Sequence, residues 1–359
     1  MKFSVILLLI FSRLIFAQGE AAVPFLRIQP SPNLNGMAGA FTSLPSTDPF
    51  GHYFNPAQLG TFSKSSKIAF GFYPSKSKWL PSFNYSDLTF SSSALSIGIN
   101  LIEIFPSIPL SLGVGYINTE LDLGENIWTN ETGDYIGSFH SYENYNAFAI
   151  GVGLEYYIQF NIGYSFKNFK SNLAPPEINN AAYAPVKGDA TDFGILVNIP
   201  FLKSYNETYS KSVYTLDTFI PHFEISLGYA VMNSGDPIRY IDMIQSDPLP
   251  KTAKIGYGVS FGITKPLIKS TLSLLSFDWA TEAHDILVKR KYGSSKYIDS
   301  PGKIKLIDNI FLGKSNEEIY IYQGWRVKFL ETFQFSYGRF KGPGYDDFQR
   351  TFSYMFSTS

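Results

Sequence analysis

Residues 146–156 read Asn-Ala-Phe-Ala-Ile-Gly-Val-Gly-Leu-Glu-Tyr, two residue classes set down alternately. Successive side chains of a strand point to opposite faces, so Phe148, Ile150, Val152, Leu154 and Tyr156 share one face. Ala147, Ala149, Gly151, Gly153 and Glu155 share the other. A soluble sandwich also alternates, but it turns its bulk inward and its charge to water. Here the bulky face is rich in aromatics and the opposite face is small, Gly-rich and mildly polar. That alternation is expected of an all-β chain forming a transmembrane antiparallel β-barrel, with lipid on one side and a lumen on the other.

The pattern repeats on both sides of this stretch. Leu95, Ile97, Ile99 and Leu101 alternate with Ser96, Gly98 and Asn100, and Leu110, Leu112, Val114 and Tyr116 with Ser111, Gly113 and Gly115. Ile158, Phe160, Ile162, Tyr164 and Phe166 oppose Gln159, Asn161, Gly163, Ser165 and Lys167. Further on, Phe223, Ile225, Leu227, Tyr229 and Val231 oppose Glu224, Ser226, Gly228 and Ala230. Ile255, Tyr257, Val259, Phe261 and Ile263 oppose Lys254, Gly256, Gly258, Ser260 and Gly262. Glu224 and Lys254 thus fall on the small face, where a charge meets water; on the lipid face it would cost ~2–4 kcal/mol. Near the chain end Phe348, Phe352, Tyr354 and Phe356 alternate with Gln349, Thr351, Ser353 and Met355, an aromatic-ended terminal strand. Counting from Ile68 onward predicts about fourteen strands, an even number as bacterial barrels prefer. The polar connectors Thr119–Glu143, Asn168–Ala190, Ser204–Pro221 and Asn233–Pro250 are longer than hairpin turns, and long connectors tend to carry function.

Composition agrees. Of 359 residues, 17% are aromatic and only 16% charged, where a soluble protein carries charge on about a quarter of its residues. Net charge is −1, which gives no basic footprint for nucleic acid. There is no cysteine, so disulfides, thiolate metal sites and a lipoprotein anchor are excluded. The first residues carry a basic Lys2, an apolar run from Val5 to Phe11 and a small residue at Ala17, which predicts a signal peptide over residues 1–17, cut before Gln18. Residues 18–66 are punctuated by Pro24, Pro30, Pro32, Pro45, Pro49 and Pro56, which remove ladder donors. They are expected to form a compact irregular N-terminal segment, a hatch or plug inside a barrel built from residues 67–359. Elsewhere no run approaches the ~18 apolar residues of a membrane helix, so a spanning chain would span as a barrel.

Catalytic chemistry is not in view. His52, His140, His222 and His284 stand in no metal-binding spacing and read as surface or loop histidines. Neither a nucleophile elbow nor a phosphate-binding loop occurs. Asp346-Asp347 and Glu317-Glu318 read as solvated charges, and no cofactor is implied. The chain is therefore expected not to be an enzyme.

Two sets of residues resemble a known family. Met37-Ala38-Gly39-Ala40, followed by Asp48-Pro49-Phe50-Gly51-His52-Tyr53-Phe54-Asn55-Pro56-Ala57-Gln58-Leu59, is similar to the N-terminal signature of the PorV/PorQ outer-membrane proteins, which are related in architecture to the FadL channels. Ala38 and Gln58 depart from the usual Met-Gly-Gly and Asn-Pro-Ala-Gly-Leu. Downstream, Thr132-Gly133-Asp134-Tyr135-Ile136-Gly137-Ser138-Phe139, then Asn172-Leu173-Ala174-Pro175, Asn233-Ser234-Gly235 and Asp247-Pro248-Leu249-Pro250 resemble the PorV branch in order and spacing. At Gly133, Gly137 and Asn233-Ser234-Gly235 a turn that closes a hairpin is an equal reading.

The resemblance implies a fourteen-stranded FadL-like barrel with an internal hatch, seated in outer-membrane lipid. It also implies a role in type IX secretion, in which such barrels take cargo C-terminal domains from the translocon to the surface attachment complex. The alternative is a FadL-like transporter of hydrophobic small molecules, with Phe25, Leu26, Met37, Phe41 and Phe54 available to line a pocket. A soluble secreted β-protein is the third reading.

Overall fold

The structure, a computed structural model, describes residues 21–78, 88–173, 177–178, 181–182, 185–202, 219–239, 247–266, 271–291, 294–297, 303–316 and 318–356. The expected signal peptide, Ala174 and Pro175 lie outside them. The strands are β1 (Lys67–Lys78), β2 (Thr89–Asn100), β3 (Leu110–Thr129), β4 (Tyr135–Glu155), β5 (Gln159–Asn172), β6 (Glu177–Ile178), β7 (Ala181–Ala182) and β8 (Val186–Pro200). They continue as β9 (Ile220–Ser234), β10 (Thr252–Pro266), β11 (Thr271–Ile286), β12 (Val288–Lys291), β13 (Ser294–Tyr297), β14 (Ile319–Phe329), β15 (Phe333–Lys341) and β16 (Gln349–Phe356).

Among the described residues, twelve strands form one sheet in the order β1-β2-β3-β4-β5-β8-β9-β10-β11-β14-β15-β16, while β6-β7 and β12-β13 are separate pairs inside connectors. Each ladder is antiparallel and joins neighbours in this meander, for example β3 to β4 and β4 to β5. The sheet therefore holds twelve strands where about fourteen were expected. The strands are also longer than expected. β3 and β4 run for 20 and 21 residues, about twice a membrane span, and absorb most of the supposed connector Thr119–Glu143. Antiparallel pairing continues wherever both chains can keep exchanging hydrogen bonds, and water at the membrane edge does not stop it.

The opening stretch behaves as its alternation predicts. Phe148 and Ile150 are 54% and 50% exposed, whereas Ala147 and Ala149 are buried. β5 repeats this, with Phe160, Ile162, Tyr164 and Phe166 outward and Asn161, Ser165 and Lys167 inward. A wall with its bulk outside and its small residues inside is the reverse of a soluble core.

What fills the interior is the N-terminal segment. Residues 24–27 and 34–37 form short 3-10 turns, and 51–54 and 58–62 single helical turns. Each of the twelve strands touches this segment. Phe50 packs beside Gly71 of β1, and Ser92 of β2 donates to the Pro30 carbonyl. Across the interior, Glu282 of β11 accepts from the Thr42 amide, and Thr351 of β16 accepts from the Ala38 amide. A flat sheet of twelve strands would be about 55 Å wide. A segment of this length is only roughly 20–25 Å across. The sheet can touch it with every strand only by curling around it as a barrel.

The small inner face has a specific use. Gly98, Gly113, Gly151, Gly163 and Gly194 stand directly opposite one another across five successive strands. A Cβ at Gly113 would strike the Leu59 carbonyl, one at Gly163 the Pro56 carbonyl, and one at Gly194 the Asn55 side chain. A second glycine pair, Gly324 and Gly338, lies under Met37 and Ala38. Removing side chains here lets segment backbone approach wall backbone, so the glycines mark the seat of the segment rather than an open lumen.

Candidate functional site: the N-terminal segment and the charged chamber beside it

The family-like residues of the segment are brought together. Met37 closes a 3-10 turn, and Ala38 and Gly39 follow in left-handed conformation, with φ of 55° and 74°. The Gln29 amide occupies the space that a Cβ on Gly39 would need, so a side chain there fails on conformation and on space alike. Asn55 is fully buried. Its Nδ2 donates to the carbonyls of Thr42 at 2.8 Å and Ile195 at 3.0 Å, and its Oδ1 accepts the Ala57 amide at 3.0 Å. One side chain thus closes the turn at Pro56 and ties it to the wall. Gln58 makes a parallel knot, donating to Phe41 and Leu44 carbonyls and accepting the Ser46 amide. Ala57 and Leu59 are buried against the glycine row.

The connector motifs divide into two groups. Thr132 and Gly133 sit on the exposed β3–β4 turn, where Asn130 Oδ1 accepts the amides of Thr132 and Asp134. Gly133 has φ of 88°, so its turn reading is the one realised. Hydrogen bonds from Asn130 and Thr132 hold the Asp134 carboxyl below the usual carboxylate range. Gly137 is no turn residue: it lies in β4 opposite Trp128, whose indole covers it. Phe139 is half-buried on the same strand and Leu173 is exposed beyond β5.

Asn233, Gly235, Pro248 and Pro250 instead gather at the rim of the interior. The Asn233 amide donates to Asp192 Oδ1 at 2.7 Å, and its Oδ1 accepts Lys167 Nζ at 2.8 Å. Gly235 lies against the Asp189 carbonyl, the Pro248 carbonyl accepts the Ala22 amide, and the Pro250 carbonyl accepts the Thr252 hydroxyl. Through Pro248 this cluster ties Ala22, near the start of the N-terminal segment, to the end of the barrel that carries the connectors after β5, β9 and β11.

Next to this clasp lies a chamber of about 110 Å³ between segment and wall, lined by Arg27, Tyr53, Lys167, Lys254, His284 and Tyr322 among others. Lys167 is buried and paired with Asp192 at 2.8 Å. Glu282 accepts Thr42 and Ser43 amides with one oxygen and meets His284 Nε2 at 3.0 Å with the other. Deeper along β11, Oδ2 of Asp278 meets both Nε and Nη2 of Arg326 on β14. Lys167–Asp192 and Arg326–Asp278 each set a buried charge against its opposite, as desolvation demands, while buried Glu143 is met by the Ser171 hydroxyl.

His52 and His284 are buried, against the expectation of surface histidines. His284 is an inward-facing wall position beside the segment, and His52, on the segment itself, is pressed against Gly115 of the wall. Burial holds the His52 imidazole down at about 3, so it is neutral. Of the apolar residues expected to line a ligand pocket, Leu26 and Phe54 line this chamber, while Phe25, Met37 and Phe41 are buried in the core shared by segment and wall. Asp192, Glu282 and His284 escaped the sequence reading. Their signal was a charge on the small face of a strand, the rule already applied to Glu224 and Lys254.

No family model matches the chain, and no curated protein does. Among solved structures, a TodX deltaS2S3 mutant monoaromatic hydrocarbon channel is similar at a TM-score of 0.34 and 10% identity, covering 86% of this chain and 92% of that one. Among the described residues, no group of three metal-ligating side chains converges. Chemically the arrangement offers binding and occlusion: a filled lumen, a small charged chamber and a clasp at one rim.

Proposed function

We propose that the chain is an outer-membrane β-barrel of FadL-like architecture that admits small molecules past an internal hatch. The observation that carries this is the contact of every strand of the sheet with residues 30–63, inside a wall whose outer face is apolar. In a barrel filled by its own chain the hatch must shift for anything to pass, and the chamber beside Lys167 leaves space between hatch and wall. When it shifts, Phe25, Leu26, Phe41 and Phe54 become available to an apolar solute. The test is uptake of hydrophobic compounds by cells carrying the full chain or a form lacking residues 22–63. Uptake that depends on the barrel and changes on deletion supports the reading; indifference to both sinks it.

A second reading, the PorV-like shuttle of type IX secretion, rests on the gathering of Asn233, Gly235, Pro248 and Pro250 at the rim. Its surface for cargo would be the same end, where Thr132–Phe139 and Leu173 also lie. Co-purification of a cargo C-terminal domain or a translocon subunit with the intact barrel supports it. Loss of secretion with unchanged uptake would decide between the two.

A further inference from the structure

Among the described residues, a second layer covers the outer wall between β13 and β14. There, residues Leu306–Phe311 form a helical turn of π type that packs on the outside of the barrel. Ile310 is buried there against Ala283 and Ile321, with Ile255, Tyr257 and Ile304 around it. The turn is firmly tied. Asn309 bridges the Lys305 amide and the Lys314 carbonyl, each at 2.7 Å, and the Lys303 amide donates to Asp285 of β11. Yet it presents Leu306, Ile307, Phe311 and Leu312 outward, with Ile307 and Phe311 70% and 67% exposed. An anchored loop in water has no reason to hold four large apolar side chains outside.

Its height on the wall explains them. Val259, Trp279, Trp325, Tyr337 and Phe352 face one another across five strands, an aromatic row of the kind that marks a membrane interface. One register step toward the long-connector end the wall turns polar, with Thr281, Gln323, Arg339 and Arg350. The turn sits at that step. Phe311 lies 5.4 Å from Tyr257, which lies 5.3 Å from Trp279 in the aromatic row. Exposed Lys305 and Lys314 flank it, at the level where phosphate headgroups would be.

We infer that Leu306–Leu312 is an interfacial anchor, seated on the wall through Ile310 and dipping its four exposed apolar side chains into the outer leaflet. The anchor rests on the reading of the wall as lipid-facing, and its test keeps the two apart. Because the chain has no cysteine, single labels go where they are placed. Ile307→Cys, Ile150→Cys and Thr132→Cys, each carrying an environment-sensitive fluorophore, are reconstituted in phosphatidylcholine–phosphatidylglycerol vesicles after heat-modifiability confirms folding. Lipid-borne and aqueous iodide quenchers are then compared. The anchor predicts that Ile307 loses iodide quenching and gains lipid quenching to the level of Ile150, while Thr132 stays aqueous. Ile307 behaving like Thr132 while Ile150 reads lipid overturns the anchor and leaves the wall intact. Both positions reading aqueous overturns the wall and the anchor together. Shielding of Ile307 from both quenchers assigns the face to another copy of the chain and also overturns the anchor.

Discussion

The lower and upper parts of the barrel interior are built on opposite principles. Below, the wall withdraws its side chains along Gly98–Gly113–Gly151–Gly163–Gly194, and the segment lays its backbone directly on it. Above, the wall projects polar and charged side chains, Lys167, Asp192, Glu282 and His284, that reach across to the segment or to each other. Close backbone packing tolerates no added volume but little depends on pairing. The charged region leaves space, a chamber of about 110 Å³, but depends on every partner being present. A hatch that must move would be expected to part from the wall at the charged end, where polar contacts can be exchanged for water, and to stay seated on the glycines.

The largest effect tests the glycine seat. Gly163→Leu places a side chain where the Pro56 carbonyl now sits, and should cost more than about 3 kcal/mol, seen as loss of the heat-modifiable folded band. A folded, stable Gly163→Leu protein would mean the segment does not rest there. Next, Asp192→Ala leaves the Lys167 ammonium buried without its carboxylate, at a cost of about 3–5 kcal/mol in thermal unfolding from detergent. The joint change Lys167→Met with Asp192→Leu should recover most of it, since replacing both partners by apolar groups is close to neutral. Failure to recover would give the pair a role beyond mutual neutralisation. Ile150→Lys, on the outer face of the same wall, should destabilise by ~2–4 kcal/mol at mid-membrane and by far less at Asn146, on the polar side. Equal penalties would remove the membrane boundary inferred between them. Asn55→Ala gives up bonds to Thr42, Ile195 and Ala57 and should cost about 1–3 kcal/mol while leaving the barrel folded. Its sharper readout is easier release of the segment, measured as proteolysis near Pro56.

The two regions were not equally legible. Bulk at Phe148 and Ile150 against Ala147 and Ala149 already tells which face turns outward, because a period of two needs no partner to be read. Prolines mark residues 18–66 as unlike the strands for an equally local reason. The glycines were legible as small but not as a seat, since nothing near Gly163 in the chain announces Pro56 more than a hundred residues earlier. Lys167, Asp192 and Asn233 lie in three different strands, and their meeting is a matter of register. Strand length also escaped, because the ends of β3 and β4 depend on how long two chains keep each other company rather than on either one.

For this protein, then, local alternation was enough to determine an all-β chain with an apolar outer face, because side-chain direction in a strand follows from backbone geometry alone. Tertiary structure decided the rest: twelve strands in the sheet, a lumen filled rather than open, two histidines buried rather than exposed, and one loop folded back onto the outer wall. Those outcomes turn on which distant surfaces meet, and burial is a property of the pair that meets, not of either sequence segment.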